Sequence, residues 1–373
     1  MNKEYLQKIM AFRHELHRHP ELSLHENDTI RRIRVFLTEH TSLAVEERDG
    51  WLFALKKGRT PLAGSMAFRA DMDALPIDET GMKIPHVSAC GGVSHKCGHD
   101  GHTAALCGLA LELDDAEPEK DVYLIFQGAE EIGAGGEKAA ELLREKNIKE
   151  VYAFHNLPGY PEGEIVYRRG LTQPASEGLT IRFRGRPSHA SAPEEGANPA
   201  AVIAGTVQQI GRLLEEPHEG MVLCTVVGMN AGSGDFGISA GEGSLMLTLR
   251  AENENEMKSL EEKILTYARE KAADAGIQTE HRISDYFPET RNHDSGVQKV
   301  LQAAEHLQVP AHEMETLWRA SEDFGYYLKA CEGAMIYIGD GENWPALHTQ
   351  GYDFNDRILE TAVDLFRELA QGS

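Results

Sequence analysis

Apolar positions recur at helical spacing over residues 3–18 and again over 27–40, with "HPELSLHEN" between them as a turn and a new cap. Beyond these, short apolar runs alternate with helical ones. "WLFALKK" and "LAGSMAFRA" read as strands, "HTAALCGLALEL" as an apolar helix, "DVYLIFQ" as a buried central strand, "EKAAELLREK" as a helix and "EVYAFHN" as another strand. Strand alternating with helix predicts an α/β layer with helices on both faces of a sheet.

The pattern changes near Ser176. "EGLTIRFRG" alternates apolar and polar positions, as a half-solvated strand does. A helix ("ANPAAVIAGTVQQIGRLLEE"), two strands ("MVLCTVVGM", "SLMLTLRAE"), a charged amphipathic helix ("NEMKSLEEKILTYAREKAADAG") and a last strand ("IQTEHRISDYF") follow. The order β-α-β-β-α-β is the ferredoxin-like split unit. The α/β pattern resumes after "FPETRNHDS" and includes the strand "AMIYIGDG". The expected fold class is therefore α/β, a mixed-sheet domain with helices on both faces. Its two parts, 1–175 and 287–373, flank an inserted α+β domain at 176–286. "LTQPAS" and "FPETRN" are the two crossings, and such a pair can hinge.

Charge narrows the partners. The chain of 373 residues carries a formal net charge of −23, which argues against nucleic acid and against an anionic membrane surface. The five cysteines are odd in number and form no C-x-x-C pair, so a disulfide framework is not expected and a reducing compartment is. The start "MNKEYLQKIMAFRHELHRHPEL" has charges throughout and lacks the apolar core of a signal peptide. These features lead to the expectation of a soluble, cytoplasmic protein with no nucleic-acid or membrane partner.

Chemistry concentrates at a few points. "HKCGHDGHT", residues 95–103, holds three histidines, a cysteine and an aspartate. Cys97 and His99 are separated only by a glycine, so a thiolate and an imidazole on a tight loop can face one ion. The helix that follows is expected to help keep Cys97 ionised. In "QGAEEIGAGG" the adjacent Glu130 and Glu131 stand at the C-terminal end of a buried strand, where α/β sites lie. One can ligate a metal while the other faces a bound water. His155 in "AFHNLP" and His348 in "ALHTQGYDFND" stand at further strand ends. Each of these stretches alone also fits an ordinary polar loop or helix start. Their recurrence at successive strand ends points to one edge of one sheet.

The ordered motifs "HRHPELS", "RADMDALP", "CGHDGHTA", "AEE..GAGG", "FHNLP", "SHASAP", "SEDFGYY" and "LHTQGYDFND" resemble the metal-dependent aminoacylase and carboxypeptidase amidohydrolase family. The resemblance covers nearly the whole chain. It implies metal ligands at Cys97, His99, Glu131, His155 and His348, Glu130 as general base, and Asp73 as an orienting carboxylate. Asp71 is a weaker candidate. It implies that His189, in "RPSHASAP", is offered to the active site by the inserted domain, which acts as a lid and dimerisation domain.

Five ligands suit two divalent ions, with zinc, manganese, cobalt and nickel all compatible. The implied function is hydrolysis of the amide bond of N-acyl amino acids (N-acetyl, N-benzoyl or similar) by metal-activated water. The alternatives are a carboxypeptidase or dipeptidase using the same site on a short peptide, and a non-catalytic binder on the same fold. An exposed edge strand in the inserted domain can pair in a homodimer.

The chain departs from the family at two points. Gly237 stands where relatives carry a polar asparagine, which puts substrate handling in question. Gly128 replaces a common proline in "QPAEE" and is expected to matter little. Arg250 reads equally as a carboxylate clamp and as a surface strand residue.

Overall fold

The computed structural model describes residues 1–60 and 64–372. Leu62 and Ala63, which open the strand expected from "LAGSMAFRA", lie outside the described residues. In chain order the elements are α1 (Lys3–Arg18), α2 (Asn27–His40), β1 (Ala44–Arg48), β2 (Trp51–Lys56), β3 (Ser65–Asp71), α3 (His99–Asp114), β4 (Asp121–Gln127), α4 (Gly136–Glu145), β5 (Glu150–Pro158), β6 (Ile165–Tyr167), β7 (Gly170–Gln173), β8 (Ala175–Arg184), α5 (Ala200–Leu214), β9 (Val222–Ala231), β10 (Glu242–Ala251), α6 (Glu254–Asp274), β11 (Gln278–Phe287), β12 (Thr290–Asn292), α7 (Asp294–Leu307), β13 (Ala311–Glu313), α8 (Gly325–Leu328), β14 (Glu332–Gly341) and α9 (Leu359–Gln371).

The chain divides into two compact units, one of Met1–Thr172, Thr290–Trp318 and Glu322–Ser373, the other of Gln173–Glu289 and Arg319–Ser321. In the first, eight strands order as β1-β2-β4-β3-β5-β14-β6-β13. The centre is parallel (β4, β3, β5, β14), while β1, β2 and β6 join antiparallel, so the sheet is mixed as expected. Every residue of β3 is buried, which is why that strand reads as an unbroken apolar run apart from its functional charges. One face packs Phe12, Leu16, Ile33, Leu106, Leu109 and Phe366 from the helices against Phe68, Leu124 and Ile336. The other packs Leu142, Leu143 and Tyr327 against Tyr123, Ile125 and Met335. Leu106 and Leu109 on α3 are wholly buried, and truncating either to alanine costs about 2–5 kcal/mol.

The second unit is a four-stranded antiparallel sheet of order β11-β8-β10-β9, with buried residues of α5 and α6 forming one core with its inner face. This is the ferredoxin-like strand order. β9 is an edge with Val227 and Met229 57% and 61% exposed. The short strands β1, β6, β7, β12 and β13 have three to five residues and left no periodic signature in the sequence.

Candidate active site

The cysteine-histidine motif opens a helix and does not stay in a loop. His99 is the first residue of α3, and its N-cap Gly98 sits in the left-handed region at φ +98°. Any side chain at 98 would run into Asn156. Glycine thus lets Cys97 and His99 stand against β5, which supplies His155. The turn after β4 supplies Glu130 and Glu131, with Ala129 at φ +54°. The loop after β14 supplies His348 at φ +59°, its N–H donated to the Lys96 carbonyl at 2.8 Å. A left-handed non-glycine residue costs roughly 1–2 kcal/mol. Two of them beside one side-chain cluster mark a place where geometry is held against strain.

Cys97 is the centre of that cluster. His155 Nε2 and His348 Nε2 each lie 3.3 Å from its Sγ. Glu131 Oε2 is 3.6 Å from His348 Nε2, and Glu131 Oε1 is 3.8 Å from His99 Nε2. Glu130 Oε2 is 3.9 Å from His99 Nε2. Zinc bonds of about 2.3 Å to sulfur and 2.0 Å to nitrogen put the two atoms roughly 3.5 Å apart along a tetrahedral edge. The side chains are therefore spaced as ligands around a cation. Cys97, His99 and His155 form one group, and Cys97, Glu131 and His348 another, with ligand atoms in each within 4.8 Å of one another. The sulfur is common to both. His99 Nε2 and Glu131 Oε1 are buried without a hydrogen-bond partner. Each such atom costs roughly 1–3 kcal/mol, which a cation between them would remove. The five residues fit a pair of divalent ions.

Their far sides are fixed as well. His99 Nδ1 lies 3.0 Å from the Asp73 carbonyl oxygen and 3.2 Å from its carboxylate. His155 Nδ1 lies 2.7 Å from the Asn156 carbonyl oxygen. Such contacts set the tautomer and aim Nε2 inward. Asp73 also accepts the Ser23 hydroxyl at 2.7 Å and the Glu131 N–H at 3.0 Å. Asp71 lies 2.6 Å from His102 Nδ1, accepts from Arg69 at 2.7 Å, and comes within 3.8 Å of His99 Nε2.

Arg69 was not anticipated from the sequence. Its guanidinium, 1% exposed, reaches Asp71, Glu322 at 3.1 Å and Asp323 at 2.6 Å, and donates to Gln127 at 3.0 Å. Asp323 in turn accepts the Gly136 N–H at the start of α4. No local pattern in "SEDFGYY" ties its acids to Arg69. Two acids in an otherwise apolar stretch were the available signal. His102, Asn156, Tyr352 and Asp340 form a second buried chain behind Cys97 and His155.

Electrostatics follow from burial. Burial pushes Glu130 well above the usual carboxylate range, helped by Glu322, Asp323 and Glu131. Burial raises Glu131 to about 7 as well, with Asp73 and Asp71 adding to it and His99 opposing. Burial would lower His99, but Asp71, Asp73 and Glu131 outweigh it and raise the ring to about 10. Against the helix start, the surroundings of Cys97 favour the neutral thiol in the chain by itself. Burial, then Glu131, Glu130 and Asp71, push the thiol well up, and a helix end supplies only about half a charge against them.

The second unit holds the remaining candidates. His189 is exposed, with Nδ1 2.7 Å from the Ser191 hydroxyl, and pairs as an isolated bridge with Ile238. Gly237 is beside it, its carbonyl accepting the Ala190 N–H at 3.0 Å. Arg250 donates to the Arg319 carbonyl at 2.6 Å.

Residues 67–372 match the family model "Peptidase family M20/M25/M40". The chain belongs to that family. It is a metal-dependent hydrolase acting on amide bonds. It is 30% identical over 379 residues to the N-acetylcysteine deacetylase of Bacillus subtilis strain 168, covering 99% of this chain and 97% of that one. It is 31% identical over 368 residues to the hippurate hydrolase of Campylobacter jejuni, covering 96% and 94%. Among solved structures, a dinuclear metal-binding peptidase of the M20 family from Bacillus subtilis superposes with a TM-score of 0.83 at 26% identity, covering 99% of this chain and 98% of that one.

Proposed function

We propose that the protein cleaves the amide bond of N-acyl amino acids, releasing a carboxylic acid and a free amino acid. The observation that carries this reading is the ligand cluster sharing Cys97 Sγ with the Glu130 carboxyl at its side. The two similar enzymes, a deacetylase of N-acetylcysteine and a hippurate hydrolase, support the substrate class. Cys97, His99, Glu131, His155 and His348 hold two divalent ions. Bound there, such ions polarise an amide carbonyl and acidify the attacking water. The thiolate favours zinc, and the nitrogen and oxygen ligands also suit manganese, cobalt or nickel.

Glu130 takes the proton from the attacking water and delivers it to the leaving nitrogen. Glu131 approaches both His99 and His348, which favours it as the ligand of the pair. Asp73 orients His99, and His189 donates to the developing oxyanion from the inserted domain at 176–286, which serves as lid. The exposed β9 edge, with Val227 and Met229 outward, pairs with a second copy. No helix among the described residues is long and apolar enough to cross a membrane, and the free cysteines favour the cytoplasm. A hydrolysis screen of N-acetyl amino acids, N-benzoyl amino acids and dipeptides with added metal tests the proposal. Turnover of the acyl amino acids supports it. Turnover of dipeptides alone makes the enzyme a dipeptidase, and no turnover by metal-loaded protein removes the catalytic reading.

A further inference from the structure

The turn that carries Glu130 is tethered from an unexpected place. Glu26 is the N-cap of α2, yet its side chain does not cap that helix. Glu21 serves α2 instead, accepting the Thr29 N–H at 2.7 Å. Glu26 is thereby free to reach across the fold, and its Oε1 accepts the Ala129 N–H at 2.6 Å. Ala129 is the left-handed residue immediately before Glu130. Its carbonyl is already used inside the turn, accepting from Ala134 at 3.0 Å and Gly135 at 3.2 Å. Glu26 and Ala129 both line a pocket of about 150 Å³, with Ile30, Trp51, Gly128 and Lys138. A strained residue persists only where its surroundings fix it, and this bond is one such contact.

Gly128 explains how the tether fits. A Cβ at 128 would sit 2.8 Å from Glu26 Oε1 and 2.8 Å from the Gly50 carbonyl oxygen. The φ of Gly128 is not in the left-handed region, so the glycine answers a need for space and not for backbone freedom. The same segment grips the site a second time. Ser23 bonds Asp73, which holds the Glu131 N–H, and Leu22 bridges Ala74.

We propose that Glu26 is a positioning residue that fixes the turn bearing Glu130, and that Gly128 is present to admit its carboxyl. The consequence for turnover rests on Glu130 being the base, whereas the bracing of the turn does not. The test compares E26Q, E26L and G128A in metal-loaded full-length protein. It reads kcat and KM on an N-acyl amino acid that the wild type hydrolyses, and amide hydrogen exchange over residues 128–135.

Gln offers the same acceptor oxygen, so E26Q should stay within about threefold of wild type, a loss smaller than that of a lost hydrogen bond. Leu fills the space without an acceptor. E26L should exchange faster over the turn and lose roughly 10- to 100-fold in kcat with KM little changed, as a misplaced group does. G128A should follow E26L. Unchanged exchange in E26L overturns the brace, as does an E26Q that falls as far as E26L. Faster exchange with unchanged kcat leaves the brace standing but overturns its role in positioning Glu130 for turnover. If E26L does not fold, E26Q near wild type with G128A impaired supports the proposal, and any other pairing of the two overturns it.

Discussion

Replacing Arg69 by methionine should be among the most damaging single changes outside the ligand set. The side chain is buried and serves three carboxylates, Asp71 at 2.7 Å, Glu322 at 3.1 Å and Asp323 at 2.6 Å. Methionine fills similar space but leaves those acids without their cation. Breaking a buried ion pair from one side costs about 3–5 kcal/mol. At roughly 2–4 °C per kcal/mol, the melting temperature should fall by about 6–20 °C.

The deficit should also depend on pH. Burial already holds Asp323 at about 7 and raises Glu322 despite Arg69. Without the guanidinium both rise further in the folded state while their unfolded values stay near 4. An acid with a raised folded pKa binds its proton more tightly when folded, so stability falls as pH climbs above the unfolded value. Thermal unfolding at pH 6 and pH 8 should therefore show R69M losing more against wild type at pH 8. R69K should be intermediate, because one ammonium cannot fork to all three acids. A deficit under about 1 kcal/mol, or one equal at both pH values, would show that the network is not held as described.

The adjacent glutamates should separate cleanly. E130Q should keep its metal and lose about 10²–10⁴-fold in kcat, while E131Q should lose metal affinity as well; metal content beside turnover checks this, and swapped phenotypes would swap the roles. H189A should keep fold and metal content but lower kcat more than it raises KM, and an unchanged kcat would remove the oxyanion role. His17 lies 2.8 Å from Asp100 and 3.1 Å from Glu79, and although burial and Arg13 oppose it, these acids raise the ring to about 9. Its stabilising contribution is then full below about 6.5 and lost as pH rises through about 9. The melting difference between wild type and H17Q should shrink between pH 7 and 10, and a constant difference would mean that His17 is not charged in the fold.

The candidate ligands that the fold brings together were legible because their chemistry is carried by residue type, and the family resemblance named them as a set. Cys, His and Glu at strand ends are conspicuous in any order, and the apolar runs between them show which strands bring them together. The helices and long strands were legible for a related reason, since each buries one periodic face. What could not be read is the buried polar support. Arg69 sits within an apolar strand pattern and meets Asp323 across 254 positions, with no local sign of the pairing. Asn156 and Asp340 look like ordinary strand-end polar residues until the fold sets them 3.0 Å apart. Left-handed Ala129 gives no signal either, because alanine rarely adopts that conformation. Glu26 was hidden by its position, for an acid at a helix start reads as a cap and here Glu21 does that work.

Cys97 is proposed to join two cation sites in one cluster. Elemental analysis of reduced, metal-supplemented protein, paired with the same measurement on the Cys97→Ala, His99→Ala double variant, tests it most directly. Two divalent ions per chain in the wild type, with both lost or sharply weakened in the variant, are expected. A wild type that holds no ion, or a double variant that binds as the wild type does, would contradict it.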